Sequence, residues 1–187
     1  MFSNIIISAG KFLEEKGFRI EKSKIIDPGN ITVDLYGFRE GHSLWKLFPF
    51  EDHFFIYNLD ESDLKSTEAF SNLHNTARIM VNSRFSKPKW MRYKVPNIIT
   101  VGISNSAFPK EMKTMVSIPA PYGVGGEKHS MYLIDISEKK LYSAGIQRTS
   151  ATAVTGGTAA SVSLAPKNID PTNRAYHLIS EFLQTIF

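Results

Sequence analysis

The run Asn97 to Ser104, NIITVGIS, is apolar at nearly every position, so neither side of it is polar. A strand with one wet face alternates polar and apolar residues, whereas one that is apolar on both sides must be covered on both. The run therefore reads as a central strand with helices on each face, and the fold has to supply both the sheet and the helices.

The flanking sequence provides them. Ile31, Val33 and Leu35 alternate with Thr32, Asp34 and Tyr36, a half-buried strand pattern. Phe18 to Ile26 reads as a strand before it, closed by the turn Asp27-Pro28-Gly29-Asn30. A further strand passes through His53-Phe54-Phe55-Ile56-Tyr57, with Leu44 to Phe48 as a candidate ahead of it. Met131 to Ile136 and Lys140 to Ser143 read as a hairpin turning at Ser137-Glu138-Lys139. Asn4 to Lys16 reads as a helix with Ile5, Ile6, Ala9, Phe12 and Leu13 on one face and Gly17 as its C-terminal cap. Asp60 is the expected cap of a second helix, whose stripe Phe70, Leu73, Ala77, Met80 and Val81 runs to about Ser83. Pro109 opens a short helix. Asp170-Pro171 opens the last one, with Ala175, Leu178, Ile179, Phe182, Leu183 and Ile186 as its buried stripe. The order predicts an α+β fold, a three-layer α/β/α arrangement with a central mixed sheet of about five to six strands. Residues 1–146 form the core domain, and 147–168, mostly Ala, Ser, Thr and Gly, form a flexible loop. Residues 169–187 are a helix docking on the core or on a second subunit, the latter making a homodimer.

The chain has no cysteine, which excludes disulfides, thiolate nucleophiles and cysteine zinc sites and fits a reducing compartment. The N-terminal apolar run lacks a basic lead and is soon interrupted by Lys11, Glu14 and Glu15, so neither a signal peptide nor a membrane span is expected. The expected location is cytoplasmic. Charge is unevenly placed. No acid occurs between Glu68 and Glu111, where seven cations fall, which leaves the rest of a chain of net charge +4 at −3 (4 − 7). Such a distribution favours an anionic partner at one place.

Five of those cations, Arg84, Lys87, Lys89, Arg92 and Lys94, are interleaved with Phe85, Trp90 and Tyr93. Cations attract phosphates, and exposed rings stack on bases. Arg84, Lys87, Lys89, Trp90, Arg92, Tyr93 and Lys94 are therefore the expected contact surface for nucleic acid or an acidic protein. The competing reading is a solvated loop that Trp90 and Tyr93 anchor to the core. A second constellation is Asp34 with Glu51, Asp52 and His53. The order helix, three strands, helix, strand resembles the core of restriction-endonuclease-like nucleases over roughly the first hundred residues. That resemblance implies an acid on the second strand and an acid-x-Lys on the third, holding Mg²⁺ to activate water. Asp34 and Glu51 would be the metal ligands and Asp52 and His53 their neighbours; no Pro precedes Asp34, and His53 stands where the Lys belongs. Against it, Asp34 reads as solvent-facing on an edge, and Glu51 and Asp52 as turn residues at the start of a strand.

The remaining motifs carry less. Tyr122-Gly123-Val124-Gly125-Gly126-Glu127-Lys128 lacks phosphate-loop spacing and leads into a strand rather than a helix. The histidines His42, His53, His74, His129 and His177 form no short ligand pair, and His74 and His177 lie in helices beside the apolar stripes, where ordinary packing or surface exposure is expected. No serine sits in a nucleophile elbow. Segments such as DHFFIYNLD, NIITVGISN and HSMYLIDISEKKLYS are similar to pieces of small prokaryotic proteins, a resemblance that implies no activity. The expectation is thus a non-catalytic binding or regulatory module without a cofactor, with a Mg²⁺-dependent nuclease as the alternative.

Overall fold

In the computed structural model, which describes residues 2–43, 46–86, 92, 94–117, 127–144, 146–149 and 174–186, seven strands form one mixed sheet in strictly sequential order. Helix α1 (Phe2–Glu15) leads into β1 (Arg19–Ile26), β2 (Ile31–Ser43) and β3 (Lys46–Asn58), an antiparallel meander. Helix α2 (Thr67–Ser83) returns the chain to β4 (Val95–Ser104), and α3 (Lys110–Ser117) returns it to β5 (Lys128–Asp135). Strands β3, β4 and β5 are parallel. Strands β6 (Lys140–Ser143) and β7 (Ile146–Thr149) extend the sheet antiparallel, and α4 (Arg174–Ile186) follows. The fold is α+β, as expected from the sequence.

The strand β7 corrects two expectations. The sheet has one strand more than the predicted range, and the segment read as a loop from 147 starts inside a strand that pairs residues 146–149 with 140–143. Composition signalled no burial there, but an open sheet edge offers backbone partners to any extended segment. The rest of that segment, 150–168, lies outside the described residues.

Alternation along the strands feeds two separate cores. Phe54, Ile56, Ile99, Val101, Ile103 and Ile134 pack with α1 and α4. Phe55, Tyr57, Ile98 and Leu133 pack with α2 and α3. The apolar run at 97–104 is therefore covered on both sides. Gly102 lies at its tightest point, where a Cβ would come within 2.5 Å of Leu59 and 3.0 Å of Phe70. Helix α4 docks within its own chain: the rings of Phe12 and Phe182 lie 5.7 Å apart, and Lys16 pairs with Glu181.

The helix ends follow local chemistry. Gly17 (φ +80°) closes α1 with Phe18 N–H donating to Leu13 O and Gly17 N–H to Glu14 O, both at 2.9 Å. Asp60 does cap a turn, but a 3-10 one (Asp63–Lys65), accepting from the N–H of Ser62 and Asp63. Helix α2 itself starts six residues later under Ser66, whose Oγ accepts from Glu68 N–H at 3.1 Å.

Candidate functional site

Glu51, Asp52 and His53 are not turn residues. They lie inside the 13-residue strand β3, between β2 and β4, and are 7 %, 0 % and 0 % exposed. They join 46–48, the described part of one candidate strand, to 53–57 of the other, because each polar side chain meets a partner and none needs water. Alternation separates them. Asp52 points to the α1 side, where Arg39 Nη2 donates to it at 2.7 Å and Asn97 Nδ2 at 3.1 Å. Arg39 also donates to Lys16 O at the end of α1 (2.8 Å), so Asp52 anchors a helix terminus. Glu51 and His53 point to the α2 side.

Asp34 is not on an edge, since β1 flanks β2, and it is half-buried. Its Oδ2 accepts from Asn58 N–H at 2.7 Å. Glu51 sits opposite Glu40, six residues further along β2. At about 3.3 Å per residue that separates Asp34 from Glu51 by about 20 Å, too far for one metal ion to bridge. Among the described residues, no three acids or histidines are placed to hold a metal.

The basic segment is partly turned inward. Lys87, Lys89, Trp90 and Tyr93 lie outside the described residues, as does the glycine-rich run 122–126. Lys94 Nζ pairs with Glu40 at 2.6 Å and Glu51 at 3.1 Å. Arg92 donates to Asn82 at 2.5 Å and lies over the Phe85 ring. These two cations are committed to their own chain. Arg84 also touches its own chain, hydrogen-bonding the Tyr36 hydroxyl and standing 4.7 Å over the Phe38 ring, but it is exposed at the end of α2 and has no carboxylate partner among the described residues.

Arg84 borders an open groove of about 280 Å³ shared with Arg19, Glu21, Lys24, Tyr36, Phe38 and Met80. Three elements meet there, β1, β2 and the end of α2, bringing three cations against one carboxylate. Lys24 is held to Glu21 at 2.8 Å and lies 4.3 Å from the Tyr36 ring centre. One face of each ring is thus taken by a cation of the chain itself, and what the groove presents is positive charge.

Behind the groove runs a chain of hydrogen bonds. Tyr36 Oη lies 2.9 Å from His53 Nδ1, and His53 Nε2 lies 3.2 Å from Glu51 Oε2. Glu51 in turn meets Lys94, which meets Glu40. The hydrogen bond from His53, with Lys94 adding to it against the effect of burial, draws Glu51 down to about 2. Burial lowers His53 below the usual imidazole value, Arg84 lowers it further, and Glu51 partly opposes them. Burial, helped by Glu21 and Glu51, raises Tyr36 to about 12. At neutral pH the chain is therefore phenol, neutral imidazole and carboxylate.

A second polar cluster escaped the sequence reading. His74 is packed rather than exposed: it is 3 % exposed, and its ring contacts Thr100 Oγ1 (2.9 Å) and His129 Nδ1 (3.0 Å). Next to it Glu127 binds Arg78 at 2.6 Å and Asn82 at 2.9 Å. The available signal was the spacing of His74, Arg78 and Asn82 on α2, four residues apart and so on one helix face. The side chains of His42 and His177 lie outside the described residues.

In comparisons with known proteins the chain matches no family model, no curated protein and no solved structure.

Proposed function

We propose that this chain is a binding module for a phosphate-bearing anionic partner, received in the groove between β1, β2 and the end of α2. The reading is carried by one observation: Arg84, without a carboxylate partner among the described residues, converges with Arg19 and Lys24 on a single groove. Two of these are arginines, whose planar forks match the oxygens of a phosphate. The occupied ring faces argue for recognition by charge rather than by base stacking. The contact surface is thus moved from the whole of 84–94 to the groove that Arg84 borders.

Binding of a labelled single-stranded oligonucleotide at several salt concentrations tests this. Wild type should lose affinity steeply with salt. Arg84→Ala and Arg19→Ala should each weaken binding and reduce the slope of log K against log salt by about 1. Equal affinity and slope in wild type and both variants would refute the groove as the contact surface. Tighter binding of a polyglutamate peptide would point to an acidic protein instead.

A further inference from the structure

Tyr36 has a single O–H to give. In the free chain that proton goes to His53, and the direction follows from the other end of the ring. Glu51 is ionised and can only accept, so Nε2 of His53, 3.2 Å from it, carries the ring hydrogen. Nδ1 of a neutral ring is then bare, and Tyr36, 2.9 Å away, donates to it.

An anion in the groove changes this balance twice. Arg84 donates a hydrogen bond to the Tyr36 oxygen, and its positive charge also acts on His53 and opposes protonation of the ring. An anion seated on Arg84 cancels that opposition. It also offers the Tyr36 O–H a stronger, charged acceptor. Once Tyr36 donates outward, its oxygen has only lone pairs to show Nδ1, and a bare Nδ1 facing them would be left without a partner, at the cost of an unpaired buried polar atom. A protonated Nδ1 restores the bond.

We propose that the groove is a proton-coupled oxyanion site, in which an anion held by Arg84 takes the O–H of Tyr36 and His53 binds one proton in exchange. The step balances. The Oη–H···Nδ1 bond gives way to Oη–H···O⁻ toward the anion; a proton from solvent adds to Nδ1; the new Nδ1–H donates to Oη. Nothing is oxidised, and no covalent bond forms but N–H. The imidazolium so made lies between Tyr36 and the Glu51 carboxylate. Negative charge enters with a compensating proton, which a site beside the buried Glu51 requires. The groups facing His53 are Tyr36 and Phe38 from β2, Glu51 and Asp52 from β3, and Arg84 from the end of α2; Lys94 acts through Glu51 and Glu21 through Tyr36. The inference rests on the groove being the anion site proposed above.

Sulfate is the probe, because it keeps its charge across the useful pH range. Calorimetric titration of the full chain in two buffers of different ionisation enthalpy counts the protons taken up. Around pH 6 to 7 uptake should approach one proton per sulfate, with affinity rising up to about tenfold per pH unit on acidification. Nitrogen NMR of His53 should change from one protonated ring nitrogen to two when sulfate binds. Tyr36→Phe, which keeps the ring and its packing, should bind sulfate more weakly and take up less than half the wild-type protons. Sulfate binding that depends on Arg84 but brings no proton, with His53 still neutral, overturns the coupling and leaves the groove standing. Undiminished uptake in Tyr36→Phe overturns the exchange at the hydroxyl. Failure of sulfate to bind overturns both readings. Competition arms with pyrophosphate and with a single-stranded oligonucleotide separate a free phosphate compound from a polymer backbone. The source is whichever displaces sulfate with the same uptake, and displacement by neither overturns the assignment.

Discussion

At the scale of single residues the structure keeps several polar groups dry and neutral. His74 is the sharpest case: burial first, then His129 and Arg78, lower it to about 3. The sign of its effect on stability follows. In the unfolded chain His74 takes a proton below about pH 6.5, whereas in the folded chain it stays neutral. Stability is therefore complete above pH 6.5 and is lost as pH falls toward 3. The full loss is of the order of 5 kcal/mol, at about 1.4 kcal/mol per pH unit. Urea denaturation at a series of pH values should show the wild-type midpoint falling steadily from pH 6.5 to 4, and His74→Gln should flatten that fall. Parallel curves for the two proteins would contradict it. Little of this was legible beforehand. His53 could be compared only with an absent lysine, because nothing in the local sequence says that Tyr36, seventeen residues earlier, faces it across a strand pair.

Elements were legible where periodicity and capping agree. Helix α2 ends at Ser83 as its stripe predicts, and α1 ends at the glycine its cap requires. Gly17→Ala tests the second point. With φ at +80°, a Cβ there should cost about 1 kcal/mol in chemical denaturation although no neighbouring atom lies within 4 Å of it. An unchanged midpoint would mean that the helix end is held by the packing of Phe18 alone. Elements were misread where two local signals compete. Asp60 and Ser66 are both capping residues, and local sequence does not tell the 3-10 turn that follows Asp60 from the α-helix that follows Ser66. Strand β3 reads as interrupted because its acids resemble turn residues; their partners come from two other segments, Arg39 on β2 and, at the start of β4, Lys94 just before it and Asn97 within it.

Over the whole molecule, sequential strand order makes the fold largely readable, since each strand pairs with its neighbour in the chain and one both-sided apolar run fixes the centre. The groove was not readable. Its cations come from β1 and from the end of α2, and only Arg84 belongs to the basic segment 84–94; Arg19 and Lys24 sit among acids in a stretch with no net signal. What the sequence did carry was the segregation of positive charge near α2, and the structure narrows it by committing Lys94 and Arg92 to partners of their own chain. The most direct measurement is a nitrogen–proton NMR map of the full chain titrated with sulfate and then with a short single-stranded oligonucleotide. Saturable shifts should concentrate on Arg19, Lys24, Tyr36, Phe38 and Arg84, with 110–117 of α3 unmoved. Shifts confined to other surfaces, or none at all, would contradict the claim that this groove receives an anionic partner.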